Sequence, residues 1–182
     1  PQIQTDTGRV SGLEALARWV HPRQGLISPA EFLPRIEAAG LSTRLTERIL
    51  RDALSALAAL DADNLTVPNV AINLSAADLR NPRLAEHIAW ELDRHDLPPN
   101  RLVVEILETV VADSDDDIAV RTIARLAGMG CAIDLDDFGT GHASIANLRR
   151  FAVGRIKIDR SFVPRMHLER DRQRMVAAIL SM

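Results

Sequence analysis

Apolar residues recur along this chain at two alternating spacings. From about Thr43 to Leu60, the positions Leu45, Ile49, Leu50, Ala53, Leu54 and Leu57 follow helical spacing and predict an amphipathic helix. The segment "SPAEFLPRIEAAG" just before it predicts another, with Ser28 as N-cap, Pro29 at the first helical position and Gly40 as the stop. Further helices are predicted from about Pro82 to His95, Asp115 to Met129 and Ala143 to Arg150. Between them lie the short β-branched runs "VPNVAINLS", "RLVVEIL", "CAIDL" and "RIKID". Their apolar residues occupy both faces, as in strands of a parallel sheet covered by helices. The earlier stretch "RVSGLEALARW" carries Val10, Leu13, Leu16 and Trp19, and its second half predicts a buried strand. Strand and helix in alternation with short connections predict a parallel α/β architecture, an open doubly wound sheet or a closed barrel. No linker, low-complexity run or internal repeat divides the chain, so it is one domain or part of one.

The polar residues that interrupt these strands carry the chemistry. Asn73 follows "VAI", Glu105 follows "LVV", Asp136 and Asp137 follow "CAIDL", and Lys157 sits inside "RIKID". All lie near the C-terminal ends, which share one face in a parallel sheet or barrel and hold ligands there. Glu14, in the early "LEALARW", is a candidate to join them. A single such residue can be a strand end turning toward water. Several at the same end of separate strands are harder to accept as coincidence. An amide oxygen, carboxylates from several strands and an adjacent Asp pair form a hard oxygen set, suited to Mg²⁺ or Mn²⁺ and not to the Zn²⁺ of His/Cys sites. Two ions would need a bridging carboxylate, which the Asp136 and Asp137 pair could supply.

Composition narrows the classes. A chain 47% hydrophobic and 26% charged is not a disordered segment. Its longest apolar run, Met175 to Leu180, is far too short to span a bilayer. The net charge of −3 argues against a general attraction to nucleic acid polymers, so phosphate chemistry here must use local positive charge or metal. A lone cysteine, Cys131, allows no intrachain disulfide and reads as a small core residue. With no signal-like segment at Pro1, the expected compartment is the cytoplasm, any membrane tether of a parent protein lying in segments not contained here. Lys157 is the sole lysine beside twenty-one arginines, and Ile156 and Ile158 face opposite to it in strand alternation. A site that retains one ammonium wants a compact charge and not a planar fork. "DFGTGHAS" lacks the third glycine of a dinucleotide loop, Ser144 standing in its place, and reads better as a flexible loop beside the acidic pair. His21, His87, His95, His142 and His167 show no metal-ligand spacing.

The motifs "EALARW", "INLSA", "VVEILE", "DDFGTG" and "KIDRSFV" resemble, in order and approximate spacing, the EAL-domain family of cyclic di-GMP phosphodiesterases. The resemblance covers essentially the whole chain. It implies a TIM-like (β/α)8 barrel of the EAL variant, with the active site at the C-terminal face. Two Mg²⁺ or Mn²⁺ ions there would activate water to cut cyclic di-GMP to linear pGpG. By that resemblance Glu14, Asn73, Glu105 and Asp136 correspond to metal ligands and Asp137 to a ligand of the second ion. Lys157 would position or help deprotonate the attacking water. Arg18 would contact a substrate phosphate, with Leu16 and the carboxylate of Asp159 also on the substrate side. Glu108 would brace the loop after Asp136 and Asp137.

Two departures qualify the resemblance. Leu107 stands where the family commonly has Thr, and a barrel of this class needs roughly 250 residues. The family's "EGVE" glutamate strand, its last strand and the glutamine before its first-strand proline do not occur. The expectation is therefore a partial EAL domain over residues 1–182, truncated at both ends and lacking the last two strands, and impaired as an isolated piece. A homodimer, or attached sensory or diguanylate cyclase-like domains in the parent, would suit such a piece. The alternative is a non-catalytic cyclic di-GMP receptor or regulatory interaction module. The retained Glu14, Asn73, Glu105, Asp136, Asp137 and Lys157 favour the enzyme, since a receptor has no need to keep them together.

Overall fold

The computed structural model describes residues 1–112, 117–139, 151–164 and 166–180. The helix expected over 143–150 and the start of the one expected from Asp115 lie outside these residues. Strands β1 (Gln2–Ile3), β2 (Val10–Ala15), β5 (Val70–Leu74), β6 (Leu102–Leu107), β7 (Ala132–Phe138) and β8 (Arg155–Ile158) form one sheet in the order β1-β2-β5-β6-β7-β8. From β2 to β8 every neighbouring pair is parallel. The parallel α/β sheet expected from the alternation is present, and one short strand, β1, joins its edge antiparallel to β2. The chain reverses there through a tight turn in which Gly8 adopts φ +67 and its amide bonds the Gln4 carbonyl.

One correction concerns "RVSGLEALARW". The strand occupies its first half, Val10–Ala15, and the chain leaves the sheet at Leu16. Trp19–His21 (β3) then pairs with Gly25–Ile27 (β4) as a separate hairpin. Its turn is closed by His21 Nδ1, which accepts the amides of Arg23 and Gln24, and by Gly25 at φ +71.

The expected helices form where apolar stripes meet the sheet: α1 (Pro29–Ala38), α2 (Ser42–Ala62), α4 (Leu84–Arg94) and α6 (Asp117–Met129). The short helices α3 (Ala76–Leu79) and α5 (Glu108–Ala112) follow β5 and β6, and α7 (Arg170–Leu180) follows β8. Ser28 holds the N-cap position of α1 without a side-chain cap, and Gly40 at φ +65 ends the run. Leu50, Leu54 and Leu57 of α2, Leu84, Ile88 and Leu92 of α4, and Ile123 and Leu126 of α6 pack on Val70, Ile72, Leu74, Leu102, Val104, Ile106, Ile133 and Leu135. Burial of this order is the main stabilising term. Cys131 belongs to this core, and burial pushes its thiol up to about 11. Because side chains alternate along a strand, the remaining positions of β2, β5, β6, β7 and β8 turn to the opposite face. Among the described residues no helix is long and apolar enough to cross a membrane.

Candidate active site

That opposite face gathers the polar strand positions. Strand register sets Asn73 beside Glu105 and Leu107 beside Asp136. Carboxylate oxygens of Glu14, Glu105 and Asp136 all lie within 4.8 Å of one another. The Lys157 ammonium sits among them, donating to Glu105 Oε2 at 2.8 Å and Asp136 Oδ2 at 3.0 Å, with Glu14 Oε2 at 3.5 Å. Asn73 Nδ2 donates to Glu14 Oε1 at 3.2 Å. Three carboxylates thus share one compact cation, and Glu105 is completely shielded from solvent.

Electrostatics follow from that crowding. Burial pushes Glu105 up to about 7 against the opposing pull of Lys157. For Lys157 burial pulls downward, but hydrogen bonds and charges from Glu105 and Asp136 outweigh it and the ammonium is held above its usual range. Lys157 is therefore a charged donor in this geometry. The three carboxylates offer oxygen ligands, and the unbalanced negative charge around a point cation fits a hard metal ion.

A second group adjoins the first at a break in the ladder. Asp134 and Leu135 pair in register with Arg155 and Ile156, after which Phe138 pairs with Ile158. One extra residue has entered β7, a bulge that turns Asp136 and Asp137 together toward the site. Asp137 adopts φ +54, the left-handed region, and its amide bonds Asp136 Oδ1 at 2.9 Å. Burial, then the charges of Asp136 and Asp159, raise the Asp137 carboxyl, which hydrogen-bonds Asp159. The Ser161 hydroxyl and amide lower Asp159. Glu108, nearly fully buried, accepts the Gly139 amide at 2.9 Å. Gly139 itself takes φ +101, and a Cβ there would meet the Phe162 ring at 2.7 Å.

The structure thus brings together Glu14, Asn73, Glu105, Asp136 and Lys157, with Asp137, Asp159 and Glu108 at the adjoining bulge. It does not bring Arg18 into the cluster, because its guanidinium donates to its own neighbour's carbonyl, Ala17 O, at 2.9 Å. Leu16 is exposed just past the end of β2. His142 and Ser144 lie outside the described residues. Three polar residues on the same face escape the sequence reading. Gln2 Nε2 reaches Glu105 Oε1 at 3.4 Å, while Arg155 Nε donates to the buried Asp134 Oδ2 at 2.7 Å. Asp134 stands two residues before Asp136, and Arg155 two before Lys157, so strand alternation alone could have found both.

The EAL domain family matches residues 1–182. The chain is 36% identical over 183 residues to the bifunctional diguanylate cyclase/cyclic di-GMP phosphodiesterase MucR of Pseudomonas aeruginosa, covering 100% of this chain and 26% of MucR. It is likewise 36% identical over 186 residues to the oxygen sensor protein DosP of Escherichia coli, covering 100% of this chain and 22% of DosP. It therefore spans about a quarter of the length of these curated relatives. A structure of the P. aeruginosa MucR phosphodiesterase in complex with c-di-GMP superposes with TM-score 0.90 at 35% identity, over 98% of this chain and 72% of that one. The sheet and its helices form a half-barrel of the TIM-like (β/α)8 type, EAL variant. On fold, motifs and whole-chain match, this chain belongs to the EAL domain family.

Proposed function

We propose that this chain carries the active site of a metal-dependent phosphodiesterase that hydrolyses cyclic di-GMP to linear pGpG. The observation that carries the reading is the convergence of Glu14, Glu105 and Asp136 on one ammonium at the strand ends. The names of the MucR relative and of its c-di-GMP complex point to the same nucleotide. Glu14, Asn73, Glu105 and Asp136 would hold one divalent ion and Asp137 the second. Ions held there supply charge neutralisation at the phosphoryl oxygens and a lowered pKa for bound water.

The chain's own residues do the rest. Lys157, held charged by Glu105 and Asp136, donates to and orients the attacking water instead of removing its proton. Glu108 fixes the turn after the Asp pair through the Gly139 amide, keeping Asp136 and Asp137 aimed at the site. Leu16 and Asp159 flank the substrate, and Arg18 reaches a phosphate once it releases the Ala17 carbonyl. In the overall reaction water adds across one P–O3′ bond, which opens the ring.

The test is nucleotide release by the full-length protein with cyclic di-GMP, with Mg²⁺ or Mn²⁺, with EDTA, and with Ca²⁺. Turnover is expected with the first two, none with EDTA, and inhibition with Ca²⁺, whose longer and looser bonds misplace the water. Full turnover in excess EDTA overturns the reading. Nucleotide binding without turnover at saturating Mn²⁺ supports the receptor instead. We further propose that residues 1–182 alone turn over more slowly than the longer protein, which the same assay on both compares.

A further inference from the structure

The charged cluster rests on a second charged layer. Along β7 and β8 the concave face carries Asp134 then Asp136, and Arg155 then Lys157, each pair two residues apart. Asp134 is directly beside Glu105 on one side and Arg155 on the other. Its carboxylate is 2% exposed, and Oδ2 accepts a hydrogen bond from Arg155 Nε at 2.7 Å and is in ion-pair contact with Arg155 NH2. Two guanidinium nitrogens held against one buried carboxylate oxygen fix direction as well as distance, which a lysine's single ammonium does not.

The position of this pair matters because of what happens one step above it. Regular pairing holds through Asp134–Arg155 and Leu135–Ile156, then β7 gains its extra residue and pairing resumes only at Phe138–Ile158. At the level of Lys157 the ladder gives β8 no matched partner, so the strand's height there is set from below and above. β8 is short, only Arg155–Ile158, and its residues are half-buried or exposed. A one-residue slip would carry Lys157 about 3.3 Å along the strand and turn it to the other face. Such a slip would also leave Asp134 buried without a counter-charge, beside the carboxylate of Glu105, and this opposes it.

We propose that Asp134 and Arg155 are a positioning pair that pins β8 to β7 beneath the bulge, and so sets the Lys157 ammonium between Glu105 and Asp136. The pair touches neither substrate nor the reacting atoms. Its catalytic meaning rests on the phosphodiesterase reading, but its structural meaning does not.

The test compares wild type, Arg155→Lys, and the double variant Asp134→Leu/Arg155→Leu in the full-length protein. Replacing an ion pair whose carboxylate is buried by apolar residues tends to preserve stability, so the double variant separates holding the fold from holding the register. We expect its Tm to stay within a few degrees of wild type while kcat falls tenfold or more, with KM within threefold. Mn²⁺ affinity without nucleotide, read by electron paramagnetic resonance, should weaken tenfold. Arg155→Lys, which keeps the charge and loses the fork, should fall between. A crystal structure of the double variant should place Lys157 Nζ beyond hydrogen-bond reach of Glu105 or Asp136. Unchanged Lys157 contacts there overturn the proposal, as do wild-type kcat and Mn²⁺ affinity in a folded double variant. If the double variant does not fold, Arg155→Lys decides in the same way, and wild-type kcat, Mn²⁺ affinity and Lys157 contacts in it overturn the proposal. Should the wild-type protein not hydrolyse cyclic di-GMP, the functional reading fails and the crystallographic distances still decide the pinning.

Discussion

Glu91 and Glu105 are both completely shielded from solvent and both paired with bases, yet their surroundings are opposite in sign. Glu91, on α4, faces three basic side chains: Arg51 Nε at 3.2 Å, Arg94 NH1 at 3.7 Å and His95 Nε2 at 3.8 Å. Glu105, on β6, shares a single ammonium with two further carboxylates. The surplus at Glu91 is positive, and it sits on arginines whose heads are about half exposed and hydrated. The surplus at Glu105 is negative and enclosed, with Asp136 at 18% and Glu14 at 25% exposure. A buried carboxylate is therefore no sign of a site in itself. Glu91 ties α4 to α2, whereas the cluster around Glu105 still calls for positive charge.

The largest expected effect comes from neutralising each glutamate in turn. In the full-length protein Glu105→Gln should lower kcat by about 10³-fold, because an anionic ligand becomes a neutral amide and the charged hydrogen bond that aims Lys157 is weakened with it. Its folding stability should hold or rise, since a buried charge among like charges disappears. Glu91→Gln should do the reverse, costing about 2 kcal/mol through its weakened charged hydrogen bond to Arg51 and leaving kcat unchanged below the transition. Thermal melts and turnover on the two variants check both halves. A Glu91→Gln variant with lost turnover at full stability would erase the distinction.

How much of this contrast the sequence disclosed depends on periodicity. The helix expected over 43–60 is present because six apolar residues fall on one stripe, and the strands "VAINL" and "LVVEIL" because nothing polar breaks them before the site residue. β7 runs three residues past the expected end at Leu135. Two aspartates interrupt its apolar run, and a left-handed aspartate at a bulge has no compositional mark. The β3–β4 hairpin leaves no periodic signal, because each strand is three residues long and pairs only with the other. Arg155 carries no mark among twenty-one arginines, while Lys157 stands out for being alone. The convergence of Glu14, Asn73, Glu105, Asp136 and Lys157 was legible because parallel strands align their C-terminal ends. Arg18's hold on its own backbone was not, since a flexible side chain's partner is chosen in three dimensions.

Charge-preserving swaps sharpen the comparison at a smaller scale. Lys157→Arg in the full-length protein should cut kcat by an order of 10² or more, because a planar guanidinium cannot occupy the point reached by Nζ between Glu105 and Asp136. Substrate KM and metal affinity should change far less. Arg51→Lys at the Glu91 cluster should cost under about 1 kcal/mol, since the pair is partly hydrated, and kcat should be untouched. Wild-type kcat in Lys157→Arg at saturating Mn²⁺ would reject a catalytic role for the ammonium.

Metal should distinguish the two clusters without any mutation. If the Glu105 side binds Mn²⁺ and the Glu91 side does not, Mn²⁺ at a thousand times its Kd should add about 4 kcal/mol to the folded state. Glu105→Gln should abolish most of that gain and Glu91→Gln none of it. Melts with Mn²⁺ and with EDTA read it directly, and an equal gain in both variants would place the binding elsewhere.

The smallest effect is a pH dependence in the metal-free protein. Burial lifts Glu105 from the usual 4.5 to about 7, so between those values the folded state holds a proton that the unfolded chain has released. Stability from this group is then fully present below about pH 4.5 and is lost as pH rises through 7, by up to about 3 kcal/mol in all. Other carboxylates titrate over part of the same range, so the informative quantity is the difference in Tm between wild type and Glu105→Gln. That difference should fall steadily from pH 4.5 to 7 and level off above it. Glu91→Gln measured alongside supplies the contrast. With Mn²⁺ present the trend should reverse, because a bound cation requires the ionised carboxylate and competes with the proton. A flat or rising difference in EDTA would mean that Glu105 stays ionised at low pH, with Lys157 outweighing burial, and the pH dependence argued from its burial would fall.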